Sequence, residues 1–392
     1  MRKIGRHRRK KQKKLLIIVS LSLLLFLCVG YAAFSTSLTI IARGNIKENT
    51  RVIQAWSSTD QTDFHSDFYK ENIVSVTFLD NNNVPDNATE SWNVSEDKEN
   101  GIVMAWVVPN NDDNTKYDLY IGAKGGVIAN EDSSCLFYHF AEVVNIDLKK
   151  LDTSNTLNMR QMFDTCNKAT NIDVSTFNTS NVINMRAMFS ECHNLTDLDV
   201  SEFNTSNVTD MGYMFYNNHN LISLNLSNFN TANVKDMSFM FMNCKSMFNL
   251  DLSGFDTSNV TTMEAMFSNY GFRLQNGSKL TTLNLSGWNT SKVTNMRDLF
   301  AYNNNLTKII GLENFDTGNV TNMQSMFANC SLLTSLNLCS FNTSNATDMS
   351  YMFRQTTNLY SIYVGQNWIT EKADTTNMFL NSGISSVTTG QC

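Results

Sequence analysis

Proline is almost missing: Pro85 and Pro109 are the only two in 392 residues, and both fall in the first third of the chain. Histidine is sparse, at five. There is no C-x-x-C pair, the cysteines do not gather with histidines, and no phosphate-binding glycine loop is present. Those absences argue against a thiolate metal cage and a nucleotide-binding loop. Serine and threonine are plentiful, but they recur at turn positions such as Thr205–Ser206 rather than beside a base, so nucleophilic catalysis has no support. The reading is of a protein that is not an enzyme, with no catalytic residues, no cofactor and no metal site. The marks of disorder are lacking too, because 42% of the residues are hydrophobic and only 17% are charged.

Positive charge is outnumbered in the part that should fold. Nine of the 30 Lys and Arg lie in residues 1–14, a basic cytoplasmic tail, and Leu15 to Ala33 carries no charge. The 21 remaining basic residues face 36 acidic ones, a formal charge of −15 after residue 33. Phosphate would be repelled, which argues against a nucleic-acid partner. A basic start followed by an apolar run reads as an export signal, so residues 15–33 are expected to be a signal or transmembrane segment. Gly30 and Ala32 offer the small residues of a peptidase site, so cleavage and retention are both open. The expected location is the cell surface, anchored by this N-terminal helix, or outside the cell after cleavage.

What is present is a repeat. Met-Phe, once Leu-Phe, recurs at Met162, Met188, Met214, Met240, Met266, Leu299, Met326, Met352 and Met378, in steps of 26, 26, 26, 26, 33, 27, 26 and 26. A second methionine column, Met159 to Met349, precedes it by three, and the two columns hold 16 of the 20 methionines. Such self-similarity marks a repeat architecture. In Leu221 to Cys244 the alternation Leu224, Asn225, Leu226 has a strand's period, and Val234, Met237, Met240 and Phe241 lie at offsets that line one face of a short helix. Asn233 stands where such repeats bury an amide, and the longest step implies a loop near Tyr270 to Lys279. The expected fold is therefore α/β: a leucine-rich-repeat solenoid of nine to ten turns, each a short parallel strand plus a short helix, with a β-rich N-terminal cap. The divisions are 1–14 basic tail, 15–33 signal or transmembrane segment, 34–70 linker, 71–135 cap, 136–382 array and 383–392 C-terminal tail.

DTSNVTTMEAMFSNY at residues 256–270, with its eight relatives, resembles the BspA-type leucine-rich repeats of bacterial surface proteins. IVMAWVV at 102–108, YDLYIG at 117–122 and VIANEDSSCLF at 127–137 resemble the segment that introduces such arrays, and GYAAFSTSLTI at 30–40 resembles Gram-positive export segments. The resemblance spans roughly residues 70–382. It implies a surface-exposed protein of a family linked to adhesion and host-protein binding, with no catalytic residues to carry over. A C-terminal wall-sorting motif, expected for wall attachment, is not seen.

The expected function is an adhesin that recognises host-matrix or other surface proteins, or a glycan, on a host or a neighbouring bacterium. The membrane would be contacted through residues 15–33. The alternative is a structural stalk or targeting arm of an exported wall-associated protein. Asp147, Asp173, Asp199, Asn225, Asp251, Asn284 and Asn337 lie between the buried strand residues and should form one concave stripe, a candidate partner-binding face. Stacked acids repel, so stability alone does not suggest such a column. Cys166, Cys192, Cys244 and Cys330 share a column and read as buried thiols, not bridges. His193 and His219, 26 apart, should stack at an exposed, variable position.

Overall fold

The structure is a computed structural model that describes residues 49–270, 277–389 and 392. Residues 1–14 and 15–33, the expected basic tail and membrane segment, lie outside the described residues. Among the described residues no helix is long and apolar enough to cross a membrane. The expected N-terminal anchor, and the surface localisation that rested on it, are thus left without structural support and are withdrawn.

The apolar alternation of Ile73, Val76 and Phe78 forms the first strand, β1 (Ile73–Leu79), with those three side chains buried. It joins β2 (Glu90–Asn93), β3 (Met104–Pro109) and β4 (Tyr117–Gly122) in one sheet ordered β2-β3-β4-β1. β3 runs antiparallel to β2 and β4, and β1 runs parallel to β4. On the far side of β1 lies β6 (Asn145–Asp147), from the first repeat, with Val76 opposite Ile146. The cap sheet therefore continues directly into the array. Packing also begins upstream of residue 71. Ile53 and Phe64 are buried in the same core, and the helix α1 (Asp67–Lys70) buries Tyr69.

The repeat is not the expected one. Among the described residues α1, four residues long, is the only α-helix, and it lies in the cap. The Met-x-x-Met-Phe segments form no helix. Their N–H groups show why. The Met188 and Ser190 N–H groups reach back three residues, to the carbonyls of Met185 and Ala187. The N–H groups between them leave the segment: Met185 donates to Asp210, Ala187 to Gly212, Phe189 to Met214 and Glu191 to Tyr216, at 2.8–3.0 Å. A helix needs every N–H for its own turn. Here alternate ones bind the next unit, and a ribbon of consecutive β-turns results. Ala187 and Glu191 take φ of 54° and 58° to allow this, and equivalent pairs recur from Gln161 and Thr165 to Asn377 and Asn381. A left-handed non-glycine residue costs about 1–2 kcal/mol. The bonds to the neighbouring unit offset that cost.

Short strands complete some units. β8 (Asn249–Asp251), β9 (Thr282–Asn284) and β10 (Lys308–Ile310) form one small parallel sheet, and β11 (Ser335–Leu338), β12 (Ser361–Val364) and β13 (Thr388–Thr389) another. β5 (Val127–Ile128) pairs with β7 (Leu151–Asp152), and an isolated parallel bridge joins Ile128 to Val52. The expected strand at Leu224–Leu226, and its equivalents Ile172–Val174 and Leu198–Val200 in the two preceding units, turn their apolar residues inward without pairing, Leu224 remaining half-buried. An α/β leucine-rich-repeat solenoid of strand-plus-helix turns is therefore corrected to turn ribbons with several small, separate sheets.

The units still stack in register. Isolated parallel bridges link Asp132, Asn158, Asn184, Asp210, Asp236, Thr262, Asn295, Asn322, Asp348 and Asp374 in sequence. The Met-Phe phenylalanines form a column from Phe137 to Phe379 with ring centroids 5.4–6.1 Å apart. The extra residues of the long step lie within Tyr270 to Lys279, where 271–276 fall outside the described residues, and the column passes unbroken from Phe267 to Phe300.

Candidate functional site

The seven residues of the expected stripe are on the surface, but each has a local task. The side-chain oxygen of Asp147 accepts the N–H of Lys149, Asp173 that of Ser175, Asp199 that of Ser201 and Asp251 that of Ser253. Asn225, Asn284 and Asn337 do the same for Ser227, Ser286 and Cys339. The hydrogen bond with Ser175 holds the Asp173 carboxyl below the usual range, Ser201 does so for Asp199, and the Ser253 backbone does so for Asp251. These are Asx turns that close the corner after each inward pair. Asp and Asn perform them equally, which explains their interchange along the column.

The Asn233 column is exposed rather than buried, and its amides reach back one unit, as from Asn233 Nδ2 to the Ser206 carbonyl at 2.7 Å. The buried polar column is threonine, two residues earlier. Thr179 Oγ1 accepts the Asn204 N–H at 2.8 Å and donates to the Asn204 carbonyl at 3.1 Å. Thr153, Thr205, Thr231, Thr257, Thr290, Thr317 and Thr343 are buried likewise. The signal was visible as the Thr in each Phe-x-Thr step.

Cys166, Cys192, Cys244 and Cys330 are free and buried. Each thiol donates to the carbonyl of the preceding unit's Phe, at 3.0–3.4 Å. Burial pushes the Cys244 and Cys330 thiols up to about 12. Asn218 and Asn303 serve the same carbonyls through Nδ2. The column is a donor position, not a thiol position. A disulfide does exist elsewhere: Cys339, after β11, is joined to Cys392, 53 residues on.

His193 and His219 stack face to face at 4.9 Å. Parallel rings aim their nitrogens side by side, not at one point, and no group of three metal-ligating side chains occurs among the described residues. Glu191 contacts His193 Nε2 at 2.7 Å, while burial, then His193 and Lys245, bring His219 down to about 4.

The turn ribbons carry the surface that these ladders leave unexplained. Between the Met columns and just after the Phe the repeat varies, and the larger side chains there, such as Arg186, Tyr213, Tyr216, Phe239 and Met242, are half-buried at the surface while the small ones, such as Ala187, Ser190, Ala265 and Ser268, are buried. Tyr213 and Phe239 stack at 4.4 Å, and Tyr216 meets Tyr213 edge-on at 5.3 Å. Arg186 lies 4.7 Å over Tyr213 and binds Asp210 and Asp236 at 3.4 and 2.9 Å. Gly212 makes room for it, since a Cβ there would stand 2.5 Å from Arg186 Nη1. On either side of this aromatic ridge the ribbon positions are small, and the surface sinks. One hollow, of about 490 Å³, lies over Ala187 and Ser190 between Asp164 and Tyr216. The other, of about 450 Å³, lies over Ala265 and Ser268 between Met242 and Tyr302.

Charges of both signs line the hollows: Asp164 and Glu191 with His139, Arg160 and Arg186 in the first, Glu264 and Asp298 with Arg297 in the second. Asp164 is buried, accepts from Gln161 Nε2 at 2.7 Å and Thr165 Oγ1 at 3.1 Å, and is pushed up by burial. No cation pairs with it among the described residues. Asp298, in the second hollow, is also raised by burial, with Arg297 Nε at 3.2 Å. This face was not legible in the sequence because periodicity marks only the positions that repeat; the aromatic residues Tyr213, Tyr216 and Phe239 among those that do not were the available sign.

A family model described as "Mycoplasma protein of unknown function, DUF285" matches residues 131–223, 195–280 and 269–388, in overlapping spans that follow the repeat. No curated protein matches the chain.

Proposed function

The chain belongs to the DUF285 family, and we propose that it is a binding scaffold, not an enzyme, whose turn face recognises a polypeptide partner. The observation that carries this is the ridge of Tyr213, Phe239 and Arg186 between two hollows. Half-exposed aromatic side chains and arginine are the composition of interface hot spots. Holding them on hydrogen-bonded ribbons lowers the ordering cost of binding. The strand stripe is the weaker candidate, because its carboxylates already serve the corner turns. The likeness of the repeat consensus to BspA-type proteins, a family linked to protein binding, points the same way.

Site-specific photo-crosslinking tests the proposal. A photoreactive side chain in place of Tyr216 or Met242 should give discrete adducts with a polypeptide in cells of the source organism. The same group in place of Ser175, beside the stripe, should not. Adducts from Ser175 alone would move the site to the strand face.

A further inference from the structure

We propose that the hollow over Ala265 seats one aromatic side chain of the polypeptide partner, a tryptophan or tyrosine that continues the Tyr213–Phe239 stack. This rests on the turn face being the binding surface and goes further by naming what enters it. Tyr213, Phe239, Ala265, Asp298, Ser325 and Tyr351 hold one position of the ribbon in successive units. Rings stack at the first two, 4.4 Å apart. The chain itself closes one end of that stack, with the Arg186 guanidinium 4.7 Å over Tyr213. At the other end the next residue is alanine, so the far face of Phe239 borders the hollow of about 450 Å³ that both residues line. Among the described residues no cation lies over Phe239, and Tyr213 is its one ring neighbour. Ala265 takes φ of 50°, and Tyr213, Phe239 and Tyr351 carry rings at φ of 59–60° in the same place. The backbone there accepts a ring that this unit does not supply.

Space and chemistry both fit a guest ring. Units stack at about 4.7–4.9 Å, so a ring at the level of Ala265 lies one spacing from Phe239, inside the range of about 4.5–7 Å for favourable ring pairs. Asp298 stands two levels from Phe239, which leaves room for one ring and not two. Met242 and Tyr302 wall the sides with a thioether and a second ring. Glu264, Asp298, Gln324 and Ser325 bring oxygens to the edge, so a ring carrying an N–H or O–H is favoured over phenylalanine. Arg297 already offsets Glu264 and Asp298, at 3.9 and 3.2 Å, so that edge favours a neutral donor over another charge.

The test uses the full chain and the N-acetyl amides of tryptophan, phenylalanine and leucine, with affinities read by titration in ligand-observed NMR. The tryptophan amide should bind about tenfold tighter than the leucine amide, with the phenylalanine amide between them. Ala265→Phe fills the hollow from within. It should melt no lower than the parent and lose about tenfold in affinity for the tryptophan amide. Ala265→Ser leaves the space open and should bind as the parent does. Should Ala265→Phe fail to fold, Phe239→Leu removes the platform instead, and it should weaken the tryptophan amide several-fold and the leucine amide not at all. Equal binding of the tryptophan and leucine amides, or unchanged affinity in a folded Ala265→Phe, overturns the proposal. Tighter binding by adenosine than by the tryptophan amide would put a nucleobase there and overturn it as well. If the amide binds only once Phe272, outside the described residues, is replaced by alanine, the chain's own ring is the occupant and an external one is overturned. Adducts from Met242 together with failure of all three amides would leave the binding surface standing and sink this inference alone.

Discussion

The Cys192 thiol donates to the Phe163 carbonyl across 3.2 Å, so one unit's cysteine closes the backbone of the unit before it. Cys192→Ala should remove one of that carbonyl's two donors, the Cys166 N–H at 3.2 Å being the other, and cost about 0.5–1.5 kcal/mol, the net worth of one hydrogen bond. Cys192→Ser keeps a donor and should cost less. Denaturant unfolding of the two variants checks this, and equal losses would show that volume, not the hydrogen bond, sets the column.

The disulfide between Cys339 and Cys392 ties the end of the chain back to the corner after β11, beyond β13. Closing 53 residues restricts the unfolded chain, a contribution of about 4 kcal/mol at most. Reduction should lower the melting temperature, and hydrogen exchange should speed up first at Thr388–Thr389. Cys392→Ser should melt the same with and without reductant.

Two acid-sensitive windows are expected. The folded His219 takes up its proton only near pH 4, whereas the unfolded chain does so near the ordinary 6.5. Between those values the unfolded state binds more protons, so stability falls as pH drops. His219→Gln should flatten that part of the profile; an unchanged slope would place the loss elsewhere.

The carboxyls of Asp173, Asp199 and Asp251 are lowered, so their contribution is present above about pH 4 and is lost below it as they protonate. Replacing all three by Asn should preserve the corner turns and blunt the loss below pH 4, whereas replacement by Ala should lower the melting temperature at neutral pH. Triple Asn and triple Ala variants that melt together would remove the Asx turns as an explanation of the stripe.

The period and its columns were legible because a stacked unit must repeat its inward residues. The ribbon was not. Offsets such as those of Val234, Met237, Met240 and Phe241 suit a helix and a run of β-turns equally, and side-chain pattern does not record where the Ala187 N–H goes. The acidic stripe misled because a column of like charges looks costly until each is seen to accept its own corner N–H, as Asp173 does from Ser175. The Cys339–Cys392 pair lies outside the cysteine column, so nothing in the repeat pointed to it. The ridge and the two hollows lie at positions free to vary, which periodicity discards.

The ribbons have one more consequence, a direction. The peptide units ending at Met185, Ala187, Phe189 and Glu191 all send N–H forward to the following unit. The carbonyls of the same four units, on Asn184, Arg186, Met188 and Ser190, all accept from the preceding one. In an ordinary sheet such dipoles alternate and cancel. Here they align along the stack, unit after unit, as they do along a helix but with the opposite sense relative to the chain. Although one corner of each unit, as at Ile183 to the Leu157 carbonyl, sends its N–H the other way, the ribbon is electrically polar, with its positive end around Asn377–Asn381 and its negative end at the first unit. There the Leu136 carbonyl meets a ring nitrogen of His65 from the cap, at 3.1 Å.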